Sequence, residues 1–170
     1  ACSDNGAEKG AGVSGPFRGF KTHLFEGGIR SSLVAWGPGL IPSNKNEGAG
    51  KVNLKSVFSA VDLVPTLLDL VEVPHPKDIK FDGESLPDVL LGKSEASRKQ
   101  PIFFRRPPDR DSFYGVKDLP DLAVRSGKWK LLCEYDGADA LLYDTVKDRG
   151  ETKDLSQKHP EVVERLTKAV

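Results

Sequence analysis

The second half of the chain predicts an α+β arrangement, a small antiparallel sheet covered by one helix. Three stretches carry that prediction. In "DLAVRSGKWKLLCEY" (121–135), β-rich runs flank Ser126-Gly127 and Ala123, Arg125, Trp129 and Leu131 alternate around it, the pattern of a hairpin. "PIFF" (101–104) and "ALLYD" (140–144) supply short strands before and after it. "HPEVVERLTKAV" (159–170) reads as a closing amphipathic helix, with Pro160 near its start and apolar residues at 162, 163, 166, 169 and 170.

The first half is less regular. Residues 1–28 are loop-like, with seven glycines and few consecutive apolar residues. "IRSSLVAW" (29–36) is β-rich and bounded by Gly28 and Gly37-Pro38-Gly39, so it predicts a strand. "SNKNEGAGK" (43–51) reads as a polar surface loop. "DLVPTLLDLVEV" (62–73) has apolar residues at 63, 64, 67, 68 and 71, the spacing of a helix that buries one face. Asp62 suits its N-cap, Pro65 falls in its first turn, and Pro74 and Pro76 end it. The charged, small-residue stretch "LGKSEASRKQ" (91–100) reads as a linker, dividing the chain into 1–93 and 94–170.

Composition narrows the function classes. Of the 170 residues, 38% are hydrophobic and 29% charged, as in ordinary globular proteins, and the formal net charge is zero. No basic stripe points to nucleic acid, and no apolar run approaches the roughly 20 residues that span a bilayer. Cys2 and Cys133 are too far apart and too few to imply a disulfide framework or a zinc site.

The residues with chemistry in them lie early in the chain. Asp4-Asn5 offers two hard oxygen donors, suited to calcium or magnesium, although Asn-Gly is also the commonest two-residue hairpin turn. Two donors fall short of the roughly six to eight oxygens that calcium takes. In "FRGFKTHLFEGG" (17–28), Lys21 on a glycine-bordered loop can neutralise a tetrahedral oxyanion, though a lone lysine is more often a solvated surface group. His23 has no partner in sequence, and Glu26-Gly27-Gly28 reads as a tight turn. Arg105, Arg106 and Arg110 offer charge for an anionic ligand or for solvent. His75 and His159 sit in proline-flanked loops beside helix ends.

Taken in order, "SDNG", "RGFKTHLFEGGIR", "GPGLIP", "DLVPTLLDL", "AVRSGKWKLL" and "LYDTVKDRGETKDLS…HPEVVERL" resemble the C-terminal part of the type I, formylglycine-dependent sulfatases, members of the alkaline-phosphatase superfamily. The resemblance implies an α/β portion, one edge of the sulfatase catalytic domain (1–93), followed by the α+β C-terminal subdomain (94–170). It implies calcium ligation by Asp4 and Asn5 and sulfate contact, hence a catalytic and substrate-binding role, for Lys21. Glu26-Gly27-Gly28 matches the structural "EGG", and no family role transfers to His23. The implied substrate is a sulfate ester, either a sulfated glycan or an aryl sulfate. The C-x-P-x-R motif that carries the formylglycine is matched by neither cysteine, so nucleophile and remaining calcium ligands are expected in a missing N-terminal half. That half, or a second copy of the chain, is the expected partner, and the implied compartment is periplasmic, secreted or lysosomal. A phosphoesterase or phosphonate monoester hydrolase of the same superfamily and a non-catalytic binding module are the alternative readings.

Overall fold

The computed structural model describes residues 1–37, 39, 41, 52–106 and 118–170. The chain forms two compact units, one of Ala1–Leu33 with Pro101–Val170 and one of Val34–Gln100. The expected division between 93 and 94 falls within the second of these units.

The first unit is built on a four-stranded antiparallel sheet in the order β1 (Ile102–Arg105), β2 (Leu122–Ser126), β3 (Trp129–Cys133), β4 (Leu141–Asp144). The hairpin predicted around Ser126-Gly127 is present. Ser126 pairs with Trp129, so its two-residue loop is Gly127-Lys128, one position later than expected.

Both faces of this sheet are covered. One carries Ala123, Leu132 and Tyr143, packed against Leu24, Phe25 and Leu119. The other carries Val124, Leu131, Cys133 and Leu142 against Val162 and Leu166 of the closing helix α4 (Pro160–Thr167). Leu131, Leu132 and Leu142 are all 0% exposed, so neither face serves as a solvent side. Each such leucine contributes roughly 1.5–3 kcal/mol of burial. Helix α4 stops at Thr167 and its apolar stripe is Val162 and Leu166, while Ala169 and Val170 are exposed.

Residues 1–33 fold differently from the expectation. Glu26–Ile29 form a single helical turn, α1, in place of a tight turn. No strand forms over 29–36 among the described residues; Leu33 makes one isolated antiparallel bridge to Cys2. A strand needs a continuous neighbour to satisfy its backbone, and an isolated bridge does not make a ladder. Val34 and Trp36 remain exposed. Cys2 and Cys133 are free thiols, the first exposed and the second buried.

The second unit contains a 3₁₀ turn (Ala60–Asp62), α2 (Leu63–Leu70) and α3 (Pro87–Leu90), the last not foreseen. Asp62 stands at the N-cap of α2, but its carboxylate does not cap that helix. It accepts the Ser59 N–H at 2.7 Å, the Glu84 N–H at 2.8 Å and Nη1 of Arg98 at 2.9 Å. Helix α2 stops at Leu70, short of Pro74. The buried side of its first turns is Asp62, Pro65 and Thr66, while Val64, Leu67 and Val71 are exposed. The apolar spacing is real, and among the described residues that face is left exposed. The stretch 91–100 is not a free linker: Arg98 is buried and its N–H donates to the Val57 carbonyl. The loop 43–51 and Arg110 lie outside the described residues. No helix among the described residues is long and apolar enough to cross a membrane.

Candidate functional site

The predicted site residues all lie in the first unit, on two backbone segments that touch. Gly6 donates its N–H to the Gly28 carbonyl at 2.8 Å, and Lys21 donates its N–H to the Ala7 carbonyl at 2.9 Å. Asp4-Asn5 is therefore tied, through the next two residues, to both ends of the segment 21–28. The approach is close enough to exclude side chains. A Cβ at Gly6 would lie 1.8 Å from the Gly27 carbonyl oxygen, and one at Gly27 would lie 2.3 Å from that of Gly19. Two of the glycines that made this region look like loop are thus contact points between backbones.

Asp4 is exposed and Asn5 half-buried, and the Asn5 amide donates to Oδ1 of Asp4 at 3.0 Å. Both supply hard oxygens, which suits calcium in kind. In this arrangement the amide turns its nitrogen toward the carboxylate, so Asn5 must rotate to present Oδ1 to the same ion. Among the described residues no group of three or more His, Cys, Asp or Glu is assembled to hold a metal. The pair fits one part of a calcium shell and falls short of a whole one.

Lys21 is half-exposed, with Nζ 3.6 Å from Oε2 of Glu8. A long contact between exposed groups is weak, and it leaves the ammonium available for exchange onto an anion. Thr22 beside it adopts φ +82°, uncommon for a non-glycine residue. His23 is buried, with its ring 4.0 Å from that of Phe20 and no hydrogen-bond partner for Nε2. Burial first, then Arg18, Lys9 and Arg106, push its pKa below the ordinary 6.5.

Composition gave no sign of what lies beneath this segment. Glu26, 1% exposed, is the centre of a buried charge cluster. Its Oε1 lies 3.2 Å from Nζ of Lys130, and its Oε2 lies 3.3 Å from the guanidinium nitrogens of both Arg125 and Arg30. Lys130 also lies 2.8 Å from Oε1 of Glu151, an ion pair off the hydrogen-bond axis. Oε2 of Glu151 accepts the Glu26 N–H at 2.6 Å. Arg125 and Lys130 are direct cross-strand partners, an arrangement that destabilises a sheet unless anions intervene. Glu26 and Glu151 are those anions. Burial pushes the Glu26 carboxyl up, but Lys130, Arg125 and Arg30 together hold it below its ordinary range. Burial dominates at Glu151 and raises it, against the pull of Lys130.

Arg18 reinforces the same join. Its guanidinium covers the Phe25 ring at 3.9 Å and donates to the Tyr143 hydroxyl at 3.0 Å, while its carbonyl accepts the Gly27 N–H at 2.7 Å. Three motif stretches separated in sequence, "FEGGIR", "RSGKWK" and "DRGE", therefore meet at one point. Alternation in the hairpin placed Arg125 on a sheet face, and a charged residue at an inward position was the available signal. The other flagged groups lie elsewhere. Arg105 bonds the Tyr135 hydroxyl, Arg106 pairs with Asp121 at 2.9 Å, His75 pairs with Asp69 at 2.9 Å, and His159 packs on Trp129.

Comparison with known proteins bears directly on this arrangement. The family model described as N-sulphoglucosamine sulphohydrolase, C-terminal, matches residues 19–170. The chain belongs to this sulfatase family. It is 31% identical to human arylsulfatase A over 194 aligned positions, which covers 96% of this chain and 35% of that protein. It is 29% identical to a sulfatase of Formosa agariphila, covering 93% of this chain and 28% of that one. The chain thus spans about a third or less of the length of these relatives. Among solved structures, Ps i-CgsB superposes with a TM-score of 0.74 at 25% identity, over 95% of this chain and 33% of that one. A structure reported with glycosaminoglycan metabolism by Bacteroides thetaiotaomicron has a TM-score of 0.74 at 23% identity, over 99% of this chain and 36% of that one. The α+β fold with its four-stranded antiparallel sheet is the one these proteins share. The family match includes Lys21, Glu26, Arg125, Lys130 and Glu151 but begins after Asp4 and Asn5.

Proposed function

We propose that this chain supplies the C-terminal part of a sulfuric ester hydrolase, with 1–93 contributing to the catalytic domain and 94–170 forming the α+β subdomain. In this reading Asp4 and Asn5 donate two oxygens to a calcium ion, and Lys21 contacts the sulfate as a catalytic and substrate-binding group. The observation that carries the proposal is the join of the Asp4–Ala7 segment to Lys21 and Gly28 in a chain of the sulfatase family.

The residues divide the work by charge. Asp4 and Asn5 would hold part of a calcium shell, and a calcium ion there would supply Lewis-acid polarisation of sulfate oxygens. Lys21 leaves Glu8 and places a compact positive charge beside oxygens on which negative charge builds as the S–O bond breaks. The nucleophile is assigned to a formylglycine outside these residues, because neither Cys2 nor Cys133 stands in a C-x-P-x-R motif. The exposed α2 face (Val64, Leu67, Val71) and exposed Trp36 suit packing against the remaining part of such an enzyme. A sulfated glycan is the preferred substrate class, since a related structure of Ps i-CgsB, 26% identical, holds k-i-k-neocarrahexaose. The proposed compartment is periplasmic, secreted or lysosomal.

Two assays test the proposal. The intact enzyme containing this segment should turn over an aryl sulfate faster than the matching aryl phosphate, and calcium chelation should abolish that turnover. The 170-residue chain alone should give none with calcium present. A preference for phosphate overturns the sulfatase assignment, and turnover that tracks the folded chain overturns the placement of the nucleophile elsewhere.

A further inference from the structure

The Lys130–Glu151 pair has more in it than stability requires. Both side chains are 0% exposed, Lys130 on the sheet face that also carries Ala123, Arg125, Leu132 and Tyr143, and Glu151 in the turn that follows β4. A buried ion pair is by itself weak evidence of stabilisation, since desolvating two charges offsets most of their attraction. Glu151 moreover sits at φ +52°, a left-handed conformation uncommon outside glycine.

What the pair holds is the segment bearing the candidate site. Glu151 reaches across to accept the N–H of Glu26, the first residue of α1, at 2.6 Å. Lys130 grips the carboxylate of the same residue at 3.2 Å. Backbone and side chain of Glu26 are therefore both fixed, the first from the turn after β4 and the second from β3. Two residues on, the Gly28 carbonyl accepts the Gly6 N–H, and Ala7 accepts the Lys21 N–H. The path from sheet to Asp4-Asn5 runs through backbone contacts too tight for a Cβ.

We propose that Lys130 and Glu151 are positioning residues: through Glu26 and α1 they set where Asp4, Asn5 and Lys21 stand relative to one another. Its functional meaning rests on the reading given above, whereas amide hydrogen exchange reads the geometry without substrate or metal, so the two fail separately. The experiment uses the 170-residue chain and the variant Glu151→Gln, which keeps the side chain's shape and removes its charge. A charge-assisted bond is about twice as strong as a neutral one, and local openings exchange independently of global ones. The Gly6 and Lys21 amides are expected to exchange about tenfold faster, with the amides of β2 and β3 within about twofold of the parent. Uniform acceleration across the sheet makes the pair a plain folding element and overturns the proposal, as does unchanged exchange at Gly6 and Lys21. If Glu151→Gln does not fold, Lys130→Met/Glu151→Leu removes both charges together and decides by the same comparison. If neither variant folds, the positioning role is overturned.

Discussion

Each of the two units buries a charged centre, and the two centres hold different things. In the second unit Asp62 and Arg98 form a pair whose further bonds go to Ser59, Glu84, Gln100 and Asp82 backbone groups. These four partners are all loop backbone of the same unit. In the first unit Glu26, Arg125, Lys130 and Glu151 join a sheet face to the turn that carries Lys21 and contacts the strip after Asn5. A buried ion pair is thus no sign of function by itself. The segment it immobilises gives it one.

The comparison breaks first at Arg98. Arg98→Ala leaves Asp62 buried and uncompensated, which should destabilise the chain by about 3–5 kcal/mol in urea unfolding. Under native conditions exchange at the Gly6 and Lys21 amides should accelerate no more than exchange at the amides of β2 and β3. A selective opening at those amides would show that the second centre also governs the site.

Lys21→Ala in the intact enzyme should lower kcat/KM by about a hundredfold to a thousandfold, the usual loss when one preorganised charge-stabilising group is removed. Thermal stability should hardly move, because a half-exposed lysine with one long contact to Glu8 contributes little to folding. Lys21→Arg should recover part of the rate, since a planar fork replaces a compact ammonium poorly. Lys168→Ala, on a side chain 73% exposed, is the control and should leave kcat/KM unchanged. Equal rates for Lys21→Ala and Lys168→Ala would remove Lys21 from the site.

A smaller effect is expected at His23, whose folded pKa lies below its ordinary 6.5, chiefly through burial. Between the folded value and 6.5 the unfolded chain binds more protons than the folded one, so stability rises with pH across that window and is lost as pH falls through it. Glu151 acts oppositely above its ordinary 4.5, since its raised folded pKa makes the folded state the better proton binder. Comparing parent with His23→Phe cancels the Glu151 contribution. The variant's stability should fall less than the parent's as pH drops below 6.5. Identical pH profiles would mean that the ring is not held neutral by its surroundings.

The smallest change is expected on α2. Leu67→Lys, at a position 49% exposed, should alter the chain's stability by no more than about 0.5 kcal/mol and reduce its self-association in light scattering. A loss of several kcal/mol would place Leu67 in a core and contradict the open apolar face.

Local signals carried much of this molecule. The hairpin, its neighbouring strands and the closing helix were legible because alternation, a Gly-containing two-residue loop and i, i+4 spacing all act within a few residues. Motif order carried the family, and with it Asp4, Asn5 and Lys21 as candidates. The segment 29–36 misled because its β-rich composition states only that it would accept a partner strand, and among the described residues it forms an isolated bridge to Cys2 in place of a ladder. The α2 stripe was legible as a face, although spacing does not say what covers it.

Only the tertiary structure decided which glycines are contact points and which charges are core. Gly6 and Gly27 look alike to Gly10 in sequence, yet a Cβ would collide with backbone at the first two and meet nothing at the third. Glu26, Lys130 and Glu151 carry the same formal charges as any solvated residue. Their meaning comes from meeting across 104 and 125 positions of chain, where low dielectric makes each charge depend on its partners. Periodicity is a local property of the chain. Neutralising a buried charge is a property of the folded neighbourhood, and no local pattern encodes it.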